Sequence, residues 1–255
     1  MNILFIGDVV GQMGCDHVRK VLPSLKKLYN IDMVIANGEN SAQGNGISPD
    51  SADFLMASGV DVITTGNHAF RRKQMDEIYR SSDFIIRPHN YGSECVGKGI
   101  CIYDFGSYSV AIINMMGTLY LQNLDNPFNA IDEVLEKIET KNIIVDFHAE
   151  ATSEKKAMGY YLAGRVSAVI GTHTHVQTAD EEIIDDFTGY ITDVGMTGPK
   201  ESVLGVDKDI IISRFKTNYP YRFDYAQSSC IMNATLIEID EKLGKCNKIT
   251  RINIE

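Results

Sequence analysis

Basic residues are in short supply: 24 Lys and Arg face 34 Asp and Glu, a formal net charge of −10. Tight, sequence-independent binding to long nucleic acid needs cations that neutralise phosphates, so no stable complex of that kind is expected. A small anionic substrate stays open, because bound metal ions can invert the local field. Long apolar runs are missing too. The opening Met1-Asn2-Ile3-Leu4-Phe5-Ile6 stops at Gly7-Asp8, too short and without the basic start of a signal peptide. No stretch approaches the length of a membrane span, so no membrane partner is expected. The five cysteines contain no CxxC pair, and a chain of this length needs no disulfide framework, which predicts reduced, buried thiols and a cytoplasmic protein. No Pro/Gly/Ser linker, charge block or repeat divides the sequence, and one domain over residues 1–255 is expected.

What is present is a recurring unit: a short apolar run, a polar or glycine-rich turn, then a helix-like stretch. Strands are predicted over residues 3–6, 33–36, 60–64, 143–147 and 167–170. Helices are predicted over 19–29, 51–58, 73–80, 130–138 and 153–162, with Pro23 marking a kink or a later start in the first. Residues 99–105 and 108–114 read as a hairpin turning at Gly106-Ser107. Later strands fall at 189–192, 231–239 and 248–254. This order predicts an α/β protein, a layered sheet sandwich flanked by helices.

The polar residues are placed by the same pattern. Asp8 follows the first strand, Glu39-Asn40 the second and Asn67-His68 the third. His148 caps residues 143–147, and His173-Thr174-His175 follows 167–170. In an open α/β sheet the carboxyl ends of strands lie along one edge, where ligands bind. Singly each has an ordinary explanation: Asp8 as a turn former, Asn67 as a left-handed turn residue, His148 as a core histidine. Their shared position argues otherwise, and of the six histidines only His17 and His89 lie outside these clusters. Imidazole, carboxylate and amide oxygen together suit iron, manganese or zinc. Asp8, Glu39, Asn40, Asn67, His148, His173 and His175 exceed what one four-coordinate ion needs. A pair of metals sharing Glu39 and a hydroxide would use them all.

Gly7-Asp8-Val9-Val10-Gly11, Asn37-Gly38-Glu39-Asn40, Gly66-Asn67-His68, Phe147-His148-Ala149-Glu150 and Gly171-Thr172-His173-Thr174-His175 resemble the calcineurin-like metallophosphoesterases. More narrowly they resemble the bacterial YmdB-like branch, which is associated with 2′,3′-cyclic nucleotide phosphodiesterase activity. The resemblance covers nearly the whole chain and is densest after residue 143. Val10 stands where most of the superfamily carries a metal-binding His, and Glu39 where most carry Asp; both features belong to the branch. Departures from it are Gln12-Met13-Gly14-Cys15, Ala69-Phe70-Arg71 and His89, which bear on substrate preference rather than on the ligand set.

The resemblance implies a calcineurin-like metallophosphoesterase fold. It also implies two divalent or mixed-valence ions, iron with manganese as a substitute. One would be held by Asp8, Glu39, Asn40 and His175, the other by Glu39, Asn67, His148 and His173. It points to hydrolysis of 2′,3′-cyclic nucleotides to 3′-nucleotides by a metal-bridging hydroxide. His68, adjoining Asn67, is the expected general acid, the alternative being that it only orients Asn67 or the backbone. Glu150, Thr174 and Asp180 are candidate partners of the ligating imidazoles, and Arg71 and Arg72 candidate phosphate contacts. Another phosphoester, or a regulatory RNA- or protein-binding role, remains an alternative, and oligomeric state is open. The loop 118–129 borders the pocket without a readable specificity code.

Overall fold

The computed structural model describes residues 1–43 and 45–255. Its first half runs β1 (Asn2–Ile6), β2 (Asp8–Val9), α1 (Gly11–Tyr29), β3 (Met33–Asn37), α2 (Pro49–Ala57), β4 (Val62–Thr64) and α3 (Met75–Ser81). A hairpin, β5 (Ile100–Asp104) and β6 (Ser109–Met116), leads to α4 (Pro127–Leu135), β7 (Asn142–His148), α5 (Thr152–Tyr161) and β8 (Ala168–Thr172). The rest is β9 (Glu182–Ile184), β10 (Thr188–Ile191), β11 (Met196–Pro199), α6 (Lys208–Thr217), β12 (Cys230–Asp240) and β13 (Lys245–Ile254).

Two sheets face each other. The first has the order β2-β11-β12-β1-β3-β4, with β13 also pairing β12; the second is β5-β6-β7-β8-β10-β9. In the first, β1, β3 and β4 are parallel, while β12 runs antiparallel to β1. In the second, β6, β7, β8 and β10 are parallel between antiparallel edges. Side chains alternate between faces along each strand. Ile3 and Phe5 of β1, Met33 and Ile35 of β3, and Ile112 and Ile144 of the opposite sheet form the core between the sheets. Leu4, Ile6, Val34 and Ala36 point the other way, under α1 and α2. Ile113, Val145 and Phe147 pack beneath α4 and α5. Strands buried on both faces read as continuous apolar runs, which is why they are visible as such in the sequence.

Helix starts follow local chemistry. Ser48 and Ser51 form a reciprocal capping box ahead of Pro49 in α2, and Asn126 caps α4 in front of Pro127. The first helix corrects the expectation of residues 19–29: α1 begins at Gly11, with Pro23 inside it. Its opening carries Gly11 and Gly14, weak helix formers, and the glycine at 14 answers a tertiary need. A Cβ there would stand 2.4 Å from the Thr197 carbonyl oxygen of β11. Among the described residues, no helix is long and apolar enough to cross a membrane.

Candidate metal centre

The parallel strands of both sheets end at one edge, and their polar residues meet there. Glu39, 1% exposed, lies at the centre. Its Oε1 is 3.1 Å from His148 Nε2 and 3.5 Å from His68 Nδ1, while its Oε2 accepts the His68 backbone N–H at 3.0 Å. His148 Nε2 is also 3.0 Å from Asn67 Oδ1 and 3.0 Å from His173 Nδ1. On the other flank, Asn40 Nδ2 is 3.3 Å from His175 Nε2, which lies 3.5 Å from Asp8 Oδ1. All seven residues singled out by position are thus brought together, with His68 beside them.

The donor set fits metal ions. One imidazole nitrogen can offer at most one proton, yet His148 Nε2 faces two oxygens and a second imidazole nitrogen at hydrogen-bond distance. Lone pairs so crowded are what a cation between them relieves. Glu39, His148 and His173 each contribute a ligand atom within 4.8 Å of the others. Asp8 Oδ1 is fully buried and makes no hydrogen bond. Gly66 keeps the floor open, since a Cβ there would stand 2.2 Å from the His148 ring and 2.5 Å from Glu39 Oε2.

The second nitrogen of each candidate imidazole ligand is held from outside, which fixes its tautomer and aims the free lone pair inward. His148 Nδ1 is 2.9 Å from Thr172 Oγ1, which donates at 2.6 Å to Asp146 Oδ1. His173 Nε2 is 3.0 Å from Glu150 Oε2, and His175 Nδ1 donates to the Leu204 carbonyl at 3.1 Å. Of the outer partners expected from sequence, Glu150 touches an imidazole. Thr174 instead donates its backbone N–H to Asp193. Asp180 accepts from Thr192 and touches no ligand. Arg72 is committed to the Gln43 and Asn45 carbonyls, which leaves Arg71 as the exposed guanidinium beside His68.

Asp146, Asp193 and Lys155 were missed. Asp146 carried a signal, a carboxylate two positions before His148 in an apolar strand and therefore on the same side. Asp193 follows β10 as the other clusters follow their strands. Lys155, 1% exposed on α5, carried none. Its Nζ lies 2.6 Å from Asp193 Oδ2, which also accepts from Thr174 N at 3.0 Å, while Asp193 Oδ1 accepts from Gly195 N. The pair holds a strained turn: His173 and His175 have φ of 105° and 63°, conformations costing about 1–3 kcal/mol each in residues other than glycine. Removing one partner of a buried ion pair strands the other charge. Lys155→Met is therefore expected to lower unfolding free energy by about 3–5 kcal/mol in urea titrations. A loss under about 1 kcal/mol would show that the pair holds nothing.

Charge in the ion-free centre follows from these contacts. Burial works to raise the Asp8 and Glu39 carboxyls, but the close approach and charge of His175 beside Asp8, and the charge of His148 beside Glu39, hold both below the usual range. Burial alone would lower His148; Glu39 facing it, with Asp8 and Asp146, lifts it to about 9. Burial and the neighbouring His148 push His173 down to about 3. Burial raises Asp146 to about 6 and lowers His68.

An entering cation must displace the His148 proton, which is present below about 9 and absent above it. Affinity for Mn²⁺ should rise with pH, about tenfold per unit on the acid side of that value, with proton release. Chelator competition on either side of neutrality measures this, and a flat profile would show that His148 gives up no proton.

The sequence model described as YmdB-like protein matches residues 4–252. A Bacillus subtilis 2′,3′-cyclic-nucleotide 2′-phosphodiesterase is 46% identical over 256 residues, covering 100% of this chain and 97% of that protein. Among solved structures, a hypothetical protein from Thermus thermophilus superposes with a TM-score of 0.94 at 39% identity, over 99% of this chain and 98% of the other. A Mycoplasma pneumoniae protein described as a novel phosphatase gives 0.95 at 34%, over 100% and 93%.

Proposed function

The chain belongs to the YmdB-like family of metallophosphoesterases and is a phosphoric diester hydrolase, and from that premise we propose that it opens 2′,3′-cyclic nucleotides to 3′-nucleotides. The observation that carries this reading is the crowding of Glu39, Asn67 and His173 around His148 Nε2, in a chain 46% identical to an enzyme named for that reaction. Asn67, His148 and His173 would hold one ion, and Asp8, Asn40 and His175 the other, with Glu39 between them. Iron is the native metal in this reading, with manganese able to replace it. Bound ions of this kind make water acidic enough to yield hydroxide near neutral pH and offset charge on phosphoryl oxygens.

The protein's own groups do the rest. His68 is fixed at its backbone by Glu39, and its Nδ1 donates to Asn40 Oδ1 at 2.8 Å. This leaves Nε2 as the atom that carries a proton to the departing 2′ oxygen. The ring is partly exposed and so can meet a substrate. Asp146 through Thr172, Glu150, and the Leu204 carbonyl keep the three ligand imidazoles from turning. A monoanionic cyclic diester needs no extended basic groove, in keeping with the net charge of −10.

The test is turnover of 2′,3′-cyclic AMP by metal-reconstituted protein with products separated chromatographically. Formation of 3′-AMP is expected. Formation of 2′-AMP would reverse the assignment of the leaving oxygen, and absence of turnover with ions bound would sink the cyclic-nucleotide reading.

A further inference from the structure

Between β6 and α4 the chain does not turn directly; residues 117–126 cross the border of the centre. The Gly117 N–H donates to the His148 carbonyl at 3.0 Å. Further along, the Gln122 side chain reaches the Asn67 carbonyl through Nε2 at 3.5 Å and accepts from the Tyr91 hydroxyl through Oε1 at 2.7 Å. Tyr91 is braced edge-on by Phe70, with ring centroids 5.1 Å apart. The loop therefore spans from one candidate ligand to another.

Two buried polar side chains are given over to holding it. Glu154, 7% exposed, accepts from Thr118 N at 2.9 Å and Thr118 Oγ1 at 3.3 Å with one oxygen, and from Leu119 N at 3.3 Å with the other. Asn90, 2% exposed, donates to the Met116 and Asp125 carbonyls at 2.8 and 3.0 Å and accepts from Met116 N at 3.0 Å. A segment pinned so firmly at both ends would be expected to fold its apolar residues inward. It does the opposite: Leu119 is 48% and Tyr120 87% exposed, and Tyr120 sits in the left-handed region with φ of 65°.

We propose that this loop is the nucleobase subsite, with the Tyr120 ring as stacking surface and the Gln122 amide nitrogen as a donor to the base edge. The inference rests on the diesterase reading above. In a 2′,3′-cyclic nucleotide the base is attached to the carbon next to the one bearing the 2′ oxygen. The base must therefore lie on the side of the centre where His68 meets that oxygen, and the loop abuts the same segment through the Asn67 carbonyl. The anionic end of the substrate is drawn to the ions, so an uncharged aromatic surface on the loop that reaches the Asn67 carbonyl suits the remaining, uncharged end. Gln122 Nε2 spends only one long bond and can turn a hydrogen towards a base without losing Tyr91.

Steady-state kinetics of metal-loaded protein with 2′,3′-cyclic AMP and with glycerol 1,2-cyclic phosphate, which has no base, provide the test. Tyr120→Ala should raise KM for cyclic AMP about 10-fold more than for the base-free ester, within the range for loss of one stacked base. Tyr120→Phe should restore the wild-type value. Equal effects on both esters, or none, would overturn the subsite while leaving the diesterase reading intact. Calorimetric binding of 3′-AMP separates the two claims. If neither ester is hydrolysed but 3′-AMP binds wild type about 10-fold more tightly than Tyr120→Ala, the subsite stands and the diesterase reading falls. Equal binding with no turnover would remove both.

Discussion

Glu39→Gln is expected to leave a folded protein that binds fewer ions and hydrolyses 2′,3′-cyclic AMP at least about 100-fold more slowly, the upper end of the cost of losing even an outer partner of a metal ligand. The two side chains have nearly the same shape, and the Gln oxygen can still accept the His68 N–H that Glu39 Oε2 accepts at 3.0 Å. What changes is charge at a position 1% exposed and 3.1 Å from His148 Nε2. Asp8 becomes the remaining carboxylate among the seven ligand candidates, and the position proposed to serve both ions loses its charge. Metal analysis after gel filtration, thermal melting and turnover read the three parts separately. Wild-type metal content with wild-type turnover would mean that Glu39 bridges nothing.

His68→Ala acts differently. Its imidazole is not among the ligand candidates, so the ions should remain. Loss of a general acid costs about 10²–10⁴ in rate where the leaving group is an alkoxide. The 2′ oxygen of a cyclic nucleotide is such a group. An aryl diester leaves without needing the proton and should lose far less. The hydrogen bond from Nδ1 to Asn40 Oδ1 complicates this, because Asn40 is itself a candidate ligand. His68→Gln is the companion variant, since an amide can satisfy Asn40 without supplying an acid. Equal losses on alkyl and aryl esters in His68→Ala, restored in His68→Gln, would assign His68 to positioning Asn40 rather than to proton transfer.

The sequence exposed the centre because its residues occupy strand ends, and strands buried on both faces announce themselves as apolar runs. Asp8, Glu39 and Asn67 could be placed along one edge from that alone. The supporting contacts were harder to see. The group that fixes His175 is a backbone carbonyl, at Leu204, in a stretch with no periodicity. The turn carrying His173 and His175 is held by Asp193, whose counter-charge is on a helix of another unit. In β11, Met-Thr-Gly-Pro has no apolar pattern, and only pairing with β2 and β12 makes it a strand. The opening of α1 was hidden for a related reason. Gly14 is poor for a helix and is required by Thr197, which lies far away in sequence. Local preference yielded to tertiary fit at these places, most of them within reach of the site.

The central place of β12 governs when the centre can exist. β1 is clasped between β3 and β12, and Gly7 N donates to Asn233 O while Asp8 N donates to Gly195 O. Asp8 directly follows β1, yet the groups that seat it, at Gly195 and in β12, are far from it in sequence. Pairings between such distant segments form late, after long loops have closed. Until β12 pairs with β1, Asp8 is not seated against the other candidate ligands. Assembly of the candidate centre is therefore tied to closure of the first sheet rather than to any local element.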